Sequence, residues 1–227
     1  MGTKFKSSIG VGLAIAASTV FMVGAANANP IVAKLEDQTN GGGFFAEVTL
    51  ANAGTNTVKV TADISPPINV GLTEGDILGL WLDIADANFL TGLMFGNEMP
   101  TNIISASIVD ENNVNAVGTS NNDIGPAGTN YDIGLAFSAQ GCGDGCFQTI
   151  MFDMTSTGLT SAAFAEQRVG MRVQSIDGED PFTYMAGSAK LTGLGDGGGG
   201  GQQQVPEPGT LLLFALGLVG LGFRGRA

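Results

Sequence analysis

Any chemistry in this chain has to be done without histidine, since none occurs among its 227 residues. That removes the usual general base, the Ser-His-Asp and Cys-His arrangements, and histidine metal sites together. Carboxylates, two thiols and a few arginines remain. Asp177-Gly178-Glu179-Asp180 and Asn121-Asn122-Asp123 place oxygen ligands at short spacing in loops, the ligand type that Ca²⁺ accepts. Neither stretch has the EF-hand spacing, so a solvated acidic loop is the simpler reading. Asp177, Glu179 and Asp180 are weak metal candidates, and no other cofactor is expected. A glycosidase would need two carboxylates at a defined separation across a sugar. With 20 acidic residues between positions 29 and 204, the sequence selects no such pair. The expectation is therefore a protein that is not an enzyme.

Arg168 and Arg172 are four residues apart. On a strand that puts them on one face, roughly 13 Å apart. In so acidic a chain they are expected to neutralise neighbouring carboxylates, with polysaccharide carboxylates as the alternative target. Cys142 and Cys146 bracket Gly143-Asp144-Gly145. A catalytic thiol would lack its histidine, and two thiols do not complete a zinc site. In an oxidising compartment a disulfide is the first reading.

Residues 29 to 204 hold five cations against those 20 acidic residues, a net charge of −15. Such a charge repels nucleic acid and anionic lipid, and favours solubility, divalent cations or neutral sugars. The length of this span suits one domain. Its 20-odd glycines and abundant Asn, Thr and Ser argue for short strands joined by turns.

Apolar residues alternate along most of that span. Phe44, Ala46, Val48 and Leu50 share one face, and after Ala53-Gly54-Thr55-Asn56 the period returns with Val58, Val60, Ala62 and Ile64. These runs predict a β-hairpin. Ser65 to Asp76 reads as a connection. Leu78, Leu80, Leu82 and Ile84 then share a face, with Trp81 opposite them. This leaves Trp81 either a packing residue, the commoner case, or an exposed sugar platform. Further strands are predicted at 103–109, 131–138, 148–155, 168–175 and 183–191, with a helical turn at 161–167. The fold class that follows is all-β, an antiparallel two-sheet sandwich, to which jelly-roll connections are open.

The two ends differ from the middle. Lys4 and Lys6 precede an apolar segment from Ile9 to Val23, and Ala26-Asn27-Ala28 offers small residues to a signal peptidase. This is the layout of a secretory signal peptide, residues 1–28, cleaved after Ala28. The ectodomain is then 29–192. Residues 193–204, with five consecutive glycines and Gln202 to Gln204, read as a linker, and 205–227 as a separate signal. In that last stretch Val205-Pro206-Glu207-Pro208 cannot be helix interior, because proline fixes φ and donates no hydrogen bond. Leu211 to Phe223 would span about 20 Å as a helix, against a hydrocarbon core of ~30 Å. A short apolar helix behind a distinctive spacer suits a processing signal better than a lasting anchor. Arg224 and Arg226 would hold it with the arginines in the cytoplasm.

The order Val205, Pro206, Glu207, Pro208, a glycine-containing apolar helix, then Arg224 and Arg226 resembles the PEP-CTERM sorting domain of Gram-negative bacteria. The resemblance implies that exosortase, a membrane-embedded transpeptidase of bacteria that make extracellular polysaccharide, recognises the tail. It implies export, a transient stay in the inner membrane through the C-terminal helix, and delivery to the cell surface or medium. A structural role in exopolysaccharide or biofilm follows as the expected function. A carbohydrate-binding module, Ca²⁺-dependent or not, is the second class, and a carboxylate glycosidase the third. The ectodomain is similar to a secreted domain that often accompanies this tail, on Gly75-Asp76-Ile77-Leu78-Gly79-Leu80-Trp81-Leu82-Asp83, Tyr131-Asp132-Ile133-Gly134 and Arg168-Val169-Gly170-Met171-Arg172-Val173-Gln174-Ser175. That similarity implies a fold but no activity.

The disulfide is open to direct test. Protein expressed in a periplasm should lack an alkylatable thiol and weigh two hydrogens less than its reduced form. Reduction should cost only about 2 kcal/mol, because the ring is small. Two free thiols under non-reducing conditions would refute the pairing.

Overall fold

The computed structural model describes residues 29–37, 44–65, 68–69, 72–118, 123–124, 130–138, 146–178 and 187–197. The expected signal peptide with Ala28, Cys142, Glu179, Asp180, most of the expected linker, the sorting residues Val205 to Pro208, and Arg224 and Arg226 lie outside them. The described chain is all-β, as expected. Ten strands run in the order β1 Ile31–Asp37, β2 Phe44–Gly54, β3 Thr57–Asp63, β4 Leu72–Leu82, β5 Met94–Met99, β6 Ile104–Val114, β7 Tyr131–Phe137, β8 Thr149–Thr155, β9 Arg168–Gly178 and β10 Ser188–Leu194. Short 3-10 turns form at Ala87–Leu90 and Ser161–Phe164.

The strands make one sheet, β5-β8-β3-β2-β1-β10-β9-β4-β7-β6, with antiparallel neighbours throughout. The expected separation into two sandwiched sheets is not seen, because the ladder continues unbroken through β1, β10 and β9. Its ends, β5 and β6, are consecutive in the chain and joined only by residues 100–103. Laid flat, nine strand spacings of ~4.8 Å would hold these edges about 43 Å apart. The link from Met99 to Ile104 reaches at most roughly 18 Å. The sheet therefore rolls until it is nearly closed into a barrel. Alternation of apolar and polar residues looks the same for a barrel and a sandwich, which is why the sequence did not separate them.

Inside the barrel the alternating residues meet as read. Val48 and Leu50 of β2, Val58 and Val60 of β3, Phe152 of β8, Met171 and Val173 of β9 and Leu191 of β10 are fully buried. The β2–β3 hairpin turns at Asn56, which takes φ +63°, a left-handed conformation that asparagine tolerates. β4 departs from its reading. It begins at Leu72 inside the expected connection, and a register shift between Ile77 and Gly79 changes its phase. Ile77 joins the core with Leu80 and Leu82, while Leu78 is only half-buried.

Both edge strands are irregular. β5 shifts register after Gly96 and β6 after Val109, and each holds an asparagine at positive φ, Asn97 at +49° and Asn112 at +50°. Bulges of this kind twist an edge away from further pairing. The turn Ala87–Leu90 stands beside β6, with Phe89 and Leu90 packed on the core.

β10 outlasts the expected end of the domain at residue 192. It pairs with β9 through Leu194, Gly195 bridges to Ala33, and Asp196 accepts from the Val32 amide at 2.7 Å while its own amide donates to the Val32 carbonyl at 3.0 Å. Two glycines permit this clasp. A Cβ at Gly193 would collide with the Lys34 carbonyl, and one at Gly195 with the Phe164 carbonyl. Gly193→Ala and Gly195→Ala should each destabilise the domain by on the order of 3 kcal/mol, the upper end for single substitutions. Thermal unfolding of each variant against wild type measures this, and a loss within error would show that the clasp relaxes freely.

Candidate functional site

The three stretches that carry the ectodomain's resemblance lie side by side, as β9, β4 and β7. On their outer face Trp81 sits between glycines, paired with Gly134 on β7 and Gly170 on β9. Each glycine is needed by close approach. A Cβ at Gly79 would lie 2.7 Å from the Trp81 ring, one at Gly134 would lie 2.6 Å from Val114, and one at Gly170 would lie 2.7 Å from Ile124 and 2.9 Å from the Tyr131 hydroxyl. Three strands thus offer a bare backbone floor on which the indole lies.

The indole is covered from outside by the last residue of β6 and by residues 115–117 and 123–124. Val114, Val117 and Ile124 are buried with Trp81, Tyr131 and Ala136 in a small second core. This strap is held by a bridge between Ala116 and Asp123 and by the Ile124 amide donating to Asn115 at 3.2 Å. Trp81 is fully buried, so it is the packing residue of the two readings and not an exposed platform. Its indole N–H has no hydrogen-bond partner among the described residues.

Ion pairs pin the strap. Lys190 of β10 and Arg172 of β9 are directly opposite in register. Two cations so placed repel. Asp123 lies against both, at 3.0 Å from Lys190 Nζ and 3.3 Å from Arg172 Nη1. Its hydrogen bond with Lys190, aided by the charges of Lys190 and Arg172, holds its carboxyl below the ordinary 3.8. The acidic loop residue nominated for Ca²⁺ is thus spent on cations of the protein itself.

Arg168 lies at the end of the same face. Its Nε donates to Asp83 Oδ2 at 2.5 Å, its Nη2 donates to the Asn130 carbonyl at 2.6 Å, and its guanidinium lies 5.0 Å from the Tyr131 ring centre. Burial raises the Asp83 pKa more than Arg168 lowers it, and the Asp132 charge adds to the rise. Burial likewise pushes the Tyr131 hydroxyl up to about 12. Asp132 itself accepts from the Ile84 amide at 2.9 Å and the Asn112 amide at 2.7 Å. These carboxylates tie β4, β6, β7 and β9 together at one rim. Both arginines neutralise carboxylates, as their place in an acidic chain suggested.

The remaining candidates scatter. Asp177 is exposed near the end of β9, and among the described residues no group of three acidic or cysteine side chains could hold a metal ion. Cys146 is disulfide-bonded, while Cys142 lies outside the described residues. Among the described residues no helix is long and apolar enough to cross a membrane. Asp83, Asp123 and Asp132 were not singled out in the sequence for these roles, and neither were the glycines under Trp81. The quoted stretches contain most of them, but only the register shows that they meet.

Compared with known proteins, residues 204–227 match the PEP-CTERM protein-sorting motif. No curated protein and no solved structure matches the chain.

The strap has a built-in reporter, since Trp81 is the single tryptophan. Because the folded Asp123 pKa lies below 3.8, its stabilising effect is complete above that value and lost as pH falls through the lower folded pKa. Trp81 emission should therefore shift to the red below pH 3.8. Asp123→Asn should show part of that shift already at neutral pH, at a cost under about 1 kcal/mol because the pair is half-exposed. Identical emission from wild type and variant at pH 7 would mean that packing alone holds the strap.

Proposed function

We propose that this is a non-catalytic surface protein, exported by its signal peptide, sorted through the motif at residues 204–227, and then held at the cell surface or in extracellular polymer of a Gram-negative bacterium. The sorting motif is the observation that carries this reading. It marks the chain for export and for exosortase, and it supports a short stay in the inner membrane before processing. The ectodomain supplies a nearly closed, strongly acidic barrel whose described arginines are engaged in ion pairs. A soluble, self-contained domain of this kind suits life in a hydrated polysaccharide better than catalysis on a small substrate. The carbohydrate-binding reading has lost its sugar platform, since Trp81 is covered.

Pro206 and Pro208 each fix φ and donate no backbone hydrogen bond, which disfavours helix across Val205 to Pro208 and suits a segment that a protease cleft takes up as an added strand. In a host with exosortase, surface-exposed protein should lack Leu211 to Ala227. In a host without it, the long form should persist in the inner membrane. Pro206→Ala with Pro208→Ala should trap the long form even where exosortase is present. Intact C-terminal peptide recovered from surface-exposed native protein by mass spectrometry would overturn this reading.

A further inference from the structure

The chain that leads into the sorting motif leaves the fold from β10, an interior strand. On one side β10 is laddered to β9 through seven pairs, from Ser188–Gln174 to Leu194–Arg168. On the other side it meets β1, from Asp37–Leu191 to the Ala33–Gly195 bridge, and then the Asp196 clasp on Val32. Gly195 is held again by Glu166, whose amide donates to its carbonyl, and by Gln167, whose carbonyl accepts from its amide, both at 2.9 Å. Asp123 braces Lys190 of β10 to Arg172 of β9 across the outer face.

The direction of these ladders determines how they meet a pull. Antiparallel hydrogen bonds lie across the strands. A force along the strand axis loads all of them together, whereas a force that parts two strand ends breaks them one at a time. The C-terminal end of β10 lies beside the N-terminal end of β1, since Ala33 bridges Gly195, whereas Glu36 near the far end of β1 pairs with Thr192. Tension between the tail and any point on the far rim of the barrel therefore shears β10 against both β9 and β1. Tension between the tail and the N-terminal end of β1 peels the two strands apart.

We propose that β10 is a load-bearing anchor, built so that a domain attached through its tail resists being pulled off in shear. This rests on the tail being the point of attachment. The far rim, which carries Glu36 of β1 and Thr73 of β4, is the face turned toward the opposing load.

Single-molecule force spectroscopy tests this on the full chain held by its C-terminal end. A click-reactive residue is placed at Glu36 or at Asn29, both exposed and at opposite ends of the same strand region. Rupture through position 36 should need severalfold more force than rupture through position 29. Thr73 at the far end of β4 serves as a second far-rim handle and should behave like position 36, which covers the case where the Glu36 substitution disturbs β1. Equal forces from both ends would overturn the proposal. Processing of the tail is read separately in the exosortase host, so a failed attachment reading leaves the force asymmetry standing, and a failed asymmetry leaves the processing result standing.

Discussion

The architecture depends on a length constraint. A ten-stranded antiparallel sheet whose first and last strands are neighbours in sequence cannot lie flat, because the link between β5 and β6 is too short to span it. The curl that results encloses the large apolar core and turns the other side of every strand outward. Most of that outer surface is polar. At β9, β4 and β7 it is instead glycine, and the flat ground there admits a second apolar layer in which Val114, Val117 and Ile124 pack with Trp81. The two cores are thus the two faces of the same strands, and Trp81 and Leu80, adjacent in sequence, serve different ones.

How much of this could be read in the chain depended on the range of the interaction. Strands such as β3, β8 and β9 were legible because their apolar residues alternate strictly, and the β2–β3 turn because Gly54 and Asn56 supply the conformations a tight turn needs. β5 was not, because Met-Phe-Gly-Asn-Glu-Met has no alternation and owes its place to pairing with β8. β1 does alternate, with Ile31, Ala33 and Leu35 inward, but its seven residues abut the apolar N-terminal stretch, whose pattern masks where the alternation begins. The phase of β4 at Leu78 is not legible in its own residues, because a bulge is a property of two strands. The closure itself depends on strand order, which one sequence does not encode locally.

The same limit applies to the polar cluster. Arginines four residues apart in an acidic chain were bound to find carboxylates, and that much was legible. Which ones they find, Asp83 for Arg168 and Asp123 for Arg172, follows from register and from the path of the strap. The sorting motif was legible because its information is linear, a fixed order of residue types that matches at 204–227.

The proximity of residues 32 and 196 also bears on how such a protein can change over time. A domain whose entry and exit sit one strand spacing apart can be cut out and replaced by another without moving either flank. The sorting motif at 204–227 is then an address label that can be joined to another domain, and the barrel is a cassette ahead of it. A lineage could diversify what it displays by swapping the cassette. The same adjacency would let the ends be fused and the chain reopened at another turn, giving a circular permutant with the barrel intact.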